Sequence, residues 1–64
     1  MASFAEQLKA QRKEFNMPQE ELAALSGISE RTIRDFEKGK LSISLEKFLM
    51  LAEVLGFEVR LEKL

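Results

Sequence analysis

The chain has 64 residues, of which 45% are hydrophobic and 33% charged, with 10 basic and 11 acidic side chains. A chain of this length forms one small domain that buries only about 60% of the surface of its unfolded form, so we expect a partner chain to add stability. It contains no cysteine and no histidine, which excludes disulfides, zinc sites built on those residues, and catalysis by a histidine base or a cysteine nucleophile. We therefore expect no enzyme, no metal and no cofactor.

The longest apolar run covers only residues 48–52, far fewer than the roughly 20 residues needed to cross a bilayer. The N-terminus also lacks the apolar stretch of a signal peptide, so we expect a cytoplasmic protein. The net charge of −1 argues against nucleic-acid binding, which usually accompanies a basic excess, unless the cations cluster on one surface.

Four helices are predicted, covering about residues 4–16, 18–26, 30–38 and 45–55. Ser3 and Glu6 have the spacing of a capping box at the start of the first helix. Pro18 suits the first turn of the second helix, and Ser29 and Ser44 are natural N-caps of the third and fourth. Each helix therefore has a start signal in the sequence.

The second and third predicted helices are separated only by residues 26–29, which include Gly27. So short a segment must be a tight turn, and glycine permits the positive φ that such a turn needs. On the third helix Ile33 and Phe36 face inward, while the outward residues are charged: Glu30, Arg31, Arg34, Asp35 and Lys38. A rigid pair of short helices with an exposed charged face fits the major groove of B-DNA, which is about 12 Å wide.

The fourth predicted helix is apolar nearly all round, whereas a surface helix needs only one apolar stripe. Five of its residues suffice for the core of the chain: Leu45, Phe48, Leu49, Ala52 and Leu55. We expect Leu51 and Val54, with Met50, to form a second face that requires a partner. The alternative is a loosely packed helix with some exposed apolar side chains.

Residues 57–62 alternate between apolar and charged side chains, which predicts a half-buried strand. No second strand is predicted in the chain, and an isolated strand is not stable in water, so we expect it to pair with the same strand of a second copy. An antiparallel pairing of Val59 with Val59 places Phe57 opposite Leu61 and Glu58 opposite Arg60. Other registers oppose Arg60 to Arg60 or Val59 to a lysine, so the Val59-centred homodimer is predicted. The predicted dimer interface comprises Leu51, Val54, Phe57, Val59 and Leu61.

Three segments of the sequence resemble the Cro/C1 (XRE) type of helix-turn-helix protein. They are Gln-Glu-Glu-Leu-Ala at 19–23, Gly-Ile-Ser at 27–29 and Phe-Glu-Lys-Gly-Lys at 36–40. The resemblance extends over about residues 4–56 and implies an all-α, four-helix, lambda-repressor-like domain at 1–56. Residues 57–64 would then follow as the dimerisation strand. Pro18 stands where the family usually has Ser or Thr, which removes a helix cap, and Ile43 replaces a common proline.

The resemblance also implies DNA contacts. The implied base contacts are Glu30, Arg31 and Asp35, with Arg34 at the edge of the groove, and the implied phosphate contacts are Arg12, Gln19, Ser29, Lys38 and Lys40. It implies further that Glu37 holds a basic residue of the fold. Two acids facing DNA are tolerable only if they accept from cytosine amino groups or pair with the neighbouring arginines. Without a DNA partner, the same residues would form an ordinary solvated helix face.

These features predict a sequence-specific regulator of transcription that binds double-stranded DNA as a repressor-like homodimer, with the helix over residues 30–38 in the major groove. A weaker similarity to antitoxin regulators of the HipB kind, which rests on the short length and the terminal strand, implies a toxin protein as a further partner. The alternative is a protein-interaction module or antitoxin whose acid-bearing third helix recognises little or no DNA. The acidic pI of about 5.4 favours this alternative.

Overall fold

The computed structural model describes residues 3–40 and 42–64. It contains four helices: α1 at Phe4–Glu14, α2 at Gln19–Ser26, α3 at Glu30–Glu37 and α4 at Leu45–Val54. The predicted all-α class and the order of the helices are confirmed, and the helix bounds differ from the prediction by at most two residues. Within the described ranges, no helix is long and apolar enough to span a membrane.

Three of the four helices begin at the predicted serine N-caps. The Oγ atoms of Ser3, Ser29 and Ser44 accept hydrogen bonds from the backbone N–H three residues later, at 3.1, 3.1 and 3.2 Å. Each bond satisfies one of the free N–H groups of a helix start. Pro18 at the start of α2 makes no such side-chain bond, as its replacement of Ser or Thr predicts.

The end of α4 is a Schellman motif. Gly56 has a φ of 80°, its N–H donates to Glu53 O at 3.1 Å, and the N–H of Phe57 donates to Ala52 O at 2.9 Å. These two bonds satisfy two of the last four carbonyl groups of the helix. They also fix the direction in which the C-terminal segment leaves α4.

The core draws on α1, α2, α3, α4 and the turn before α3. Its buried members are Leu8, Leu22, Ile28, Ile33, Leu51, Ala52 and Leu55. Leu22 and Ile33 are almost fully buried, and burial of one such side chain contributes about 1.5–3 kcal/mol. Since these two residues come from α2 and α3, the core holds these two helices as one unit.

The orientation of α4 differs from the prediction. Leu51 is 1% exposed and belongs to the core, whereas Leu45 and Leu49, which were predicted to be core residues, are exposed. The expectation that Leu51 lies on an exposed dimer face is therefore wrong. An apolar stripe selects the buried face of a helix, but this helix has no single stripe, so its packing against α2 decides the outcome. Val54 is half-buried and packs against the core.

Residues 57–64 follow α4 without regular secondary structure in the single copy. Phe57 and Val59 retain 37% and 45% of their accessible surface, and Leu61 is fully exposed. A strand needs a second strand to satisfy its backbone groups. The strand, its dimer pairing and the division of the chain at residue 56 therefore stay predictions.

Candidate nucleic-acid interface

The turn between α2 and α3 is closed by two hydrogen bonds. Gly27 has a φ of 76°, and its N–H donates to Ala23 O at 2.9 Å. The N–H of Ile28 donates to the buried Ser26 Oγ at 3.2 Å, and the Ile28 side chain enters the core. A residue with a β-carbon resists the left-handed conformation by roughly 1–2 kcal/mol, so glycine suits this position. The turn thus fixes the angle between α2 and α3.

The outer face of α3 carries the predicted base-contacting residues. Ile33 points into the core, whereas Glu30, Arg31 and Arg34 are exposed and Asp35 is half-buried. The helix is therefore anchored along one side and open along the other. The outward residues of its first turn are on the open side, and in a recognition helix such residues contact base edges.

The charges on this face are partly paired with one another. Arg34 Nη2 lies 3.7 Å from Glu30 Oε1, and both side chains are 45% exposed. Asp35 forms no ion pair with Arg31, four positions before it, and Arg31 makes no ion pair with any residue in the described ranges. Its guanidinium is free to donate two hydrogen bonds to a guanine.

Three of the five predicted phosphate-contacting residues are exposed. Ser29 stands before the first turn of α3, and Lys38 and Lys40 follow its last turn. Neither lysine is ion-paired within the described part of the chain. A polar hydroxyl group therefore precedes α3, and two cations follow it.

Arg12 occupies a different place from the one predicted. It is 8% exposed, and its Nε and Nη2 donate to Glu37 Oε2 and Oε1 at 2.7 and 2.9 Å. Its Nη1 donates to Met17 O at 2.7 Å. The structure removes Arg12 from the candidate phosphate contacts, because its donors are engaged inside the fold. The expectation that Glu37 holds a basic residue is confirmed by the same bonds.

Gln19, which is also a predicted phosphate-contacting residue, is hydrogen-bonded to this ion pair. Its Nε2 donates to Glu37 Oε1 at 3.0 Å, so one carboxylate oxygen accepts from both Arg12 and Gln19. Gln19 is the first residue of α2 and is half-buried. The carboxylate of α3 thus connects α1 with the start of α2, where free backbone N–H groups favour anions.

The environment of Glu37 lowers the pKa of its carboxyl group below the ordinary value of 4.5. Burial by itself raises this pKa, since it disfavours the charged form. The hydrogen bonds from Arg12 and Gln19, with the positive charges of Arg12 and Lys9, outweigh burial. The carboxylate is therefore ionised at neutral pH and its pairing with Arg12 is complete.

This geometry agrees with the comparison with known families. A helix-turn-helix family model matches residues 8–61, which is most of the chain. The chain belongs to this helix-turn-helix family. The match supports a Cro/C1 (XRE) type of protein, whose domains bind DNA and regulate transcription. A comparison with curated proteins found no match.

In the helix-turn-helix chain, the connection of Arg12 and Gln19 through Glu37 could not be predicted from the sequence. The three residues are on three different helices, so no local pattern joins them. One signal was present: Arg12 follows the core residue Leu8 by four positions, and residues four apart share a helix face. That spacing places Arg12 on the buried side of α1.

Proposed function

We propose that the chain is a sequence-specific, repressor-like transcription regulator that binds double-stranded DNA as a homodimer. In this proposal α3, with Lys38 as its C-cap, enters the major groove of each half-site. The observation that carries it is the exposed guanidinium of Arg31, unpaired within the described chain and held on a helix whose opposite face is in the core. An arginine so placed donates to O6 and N7 of a guanine. Glu30, Arg34 and Asp35 complete the proposed base-contacting face.

Binding affinity comes mainly from phosphate contacts in this mechanism. Ser29, Lys38 and Lys40 contact the phosphates on either side of α3, and Gln19 contacts a phosphate at the start of α2. The net charge of −1 does not oppose this arrangement, because salt screens charges beyond about 8–10 Å and leaves the local cations dominant.

The homodimer forms through the C-terminal residues. The proposed strands pair around Val59, and Phe57, Leu61 and Val54 extend the interface. Successive major grooves on one side of DNA are about 34–36 Å apart, which is the separation that the two copies of α3 must reach. The two half-sites would then be inverted copies of one sequence, so that the whole operator is a palindrome.

A second candidate is a protein-interaction module, such as an antitoxin that binds a toxin protein. Two features favour it: the acidic Glu30 and Asp35 on the outer face of α3, and a groove between α2 and α4 lined by Leu25, Met50 and Val54. In this candidate the protein recognises little or no DNA.

Selection of bound sequences from a randomised duplex library tests the first candidate directly. We expect a palindrome with half-sites one helical turn apart. Recovery of no sequence above background would refute DNA recognition and leave the interaction module.

Variants of single cations separate base contacts from phosphate contacts on the selected site. Arg31→Ala is expected to weaken the selected site by about 1–3 kcal/mol and to spare random DNA. Lys40→Ala should weaken all sequences and reduce the slope of log K against log salt by about 1 for each copy. Lys13→Ala, an exposed cation of α1, serves as the control. Equal effects of Lys13→Ala and Lys40→Ala would contradict the assigned phosphate contact.

A further inference from the structure

An apolar groove lies between the start of α1, the middle of α4 and the C-terminal segment. Its apolar lining consists of Phe4, Leu8, Phe48, Ala52, Phe57 and Val59, and its volume is about 220 Å³. The rings of Phe4 and Phe48 lie 5.2 Å apart on one side, yet Phe4 remains 68% exposed. Contiguous exposed apolar surface of this kind is unfavourable in water and favours the binding of another apolar group.

The C-terminal segment offers an apolar side chain that its own copy does not bury. Leu61 is fully exposed, and it follows Phe57 and Val59 at the period of a strand, so all three share one face of an extended segment. In the register that opposes Val59 to the partner's Val59, the partner's Leu61 lies opposite Phe57. Phe57 is itself part of the groove lining.

We propose that the groove is the docking site for the partner's Leu61, which inserts beside Phe4 and Phe48. The inference rests on the proposed homodimer and adds α1 to its interface. By two-fold symmetry, Leu61 of each copy occupies the groove of the other. The N-terminal turn of α1, absent from the interface predicted from sequence, then becomes part of it.

The charges at the edge of the groove favour a second copy as the occupant. Glu58 and Arg60 also line the groove; their side chains are more than 70% exposed, and they form only a long contact of 3.8 Å with each other. In the same register Glu58 lies opposite the partner's Arg60, and Arg60 opposite the partner's Glu58. The surface is therefore complementary to itself in both apolar shape and charge, as a two-fold interface requires.

The dissociation constant of the dimer, measured by analytical ultracentrifugation, tests the docking. Leu61→Ala is expected to raise this constant about 100-fold or more, because each dimer loses two buried leucine side chains. Leu64→Ala is the matched control: Leu64 is equally exposed but lies beyond the paired residues, so its replacement should change the constant by less than about threefold.

Phe4→Ala distinguishes docking in the groove from strand pairing alone. Phe4 is largely exposed in the single copy, so its replacement should leave the fold intact, as circular dichroism can verify. If the partner's Leu61 binds beside Phe4, the two substitutions are coupled, and Phe4→Ala weakens the dimer much less in the Leu61→Ala background. Independent effects, or equal effects of Leu61→Ala and Leu64→Ala, would overturn the docking.

A cysteine at position 59 tests the homodimer separately. Since the chain has no native cysteine, Val59→Cys introduces a single thiol, which should form a covalent dimer on mild oxidation when Val59 faces the partner's Val59. A covalent dimer without coupling between Phe4 and Leu61 would retain the homodimer and reject the docking. A chain that stays monomeric without substitution, and forms no covalent dimer, would reject both.

Discussion

Removal of the Glu37 carboxylate is the most damaging single change that the structure indicates. The side chains of Arg12 and Glu37 are only 9% and 4% exposed, so Glu37→Ala leaves a guanidinium buried without its counter-charge. It also removes the acceptor of the Gln19 amide. Breaking one side of such a pair typically costs about 3–5 kcal/mol. A domain of this size has a total free energy of unfolding of about 3–10 kcal/mol, so the substitution should remove at least about a third of it.

Urea unfolding followed by circular dichroism measures this loss. Glu37→Gln, which keeps one carbonyl acceptor but no charge, is expected to lie between Glu37→Ala and the unsubstituted chain. The double replacement of Arg12 and Glu37 by methionine should recover most of the stability, because no buried charge remains. Glu53→Ala removes an exposed carboxylate and should change the free energy of unfolding by no more than about 0.5 kcal/mol. If Glu37→Ala were no more destabilising than Glu53→Ala, the reasoning about the buried pair would be refuted.

Three further outcomes are expected. The pKa of Glu37 is lowered in the folded chain, so the stability that its carboxylate contributes is complete above the unfolded pKa and is lost as the pH falls through the folded pKa. Urea unfolding at stepwise lower pH should show this loss of stability, and Glu37→Gln should not show it. Ser29→Asp keeps a good N-cap for α3, so the melting temperature should stay constant while DNA binding weakens through repulsion of phosphates; normal DNA binding by this variant would remove Ser29 from the interface. Gly27→Ala forces a β-carbon into a φ of 76° and should cost about 1–2 kcal/mol in thermal unfolding, whereas no loss would show that the turn can relax.

The sequence was sufficient to predict the helices because their boundaries depend on local chemistry. Ser3, Ser29 and Ser44 act on N–H groups three residues away, and such short-range bonds leave a pattern in the sequence. The exposed part of the candidate site was predictable for a similar reason. Once Ile33 faces the core, Arg31 must lie on the outer face of the same helix.

The orientation of α4 and the burial of Arg12 depend on contacts between residues that are distant in the sequence. The side chains of α4 are apolar on several faces, so the choice of Leu51 over Leu45 as a core residue is made by the surface of α2, which periodicity does not describe. The family resemblance implied a phosphate contact for Arg12, and a charged residue without a partner is usually exposed. Its burial depends on Glu37, 25 positions away, which satisfies its charge.

The hydrogen bond from Phe57 to Ala52 has a consequence for operator selection. In the proposed dimer, this bond joins the paired C-terminal strand directly to the end of α4, with no flexible linker between strand and helix. The geometry of the strand pairing would therefore set the distance between the two copies of α3. Insertion of one glycine after Gly56 would abolish that direct connection and leave every side chain of the proposed DNA-contacting face in place. Such a variant should bind operators whose half-sites are separated by other distances. It should bind the operator of the unsubstituted chain with lower affinity.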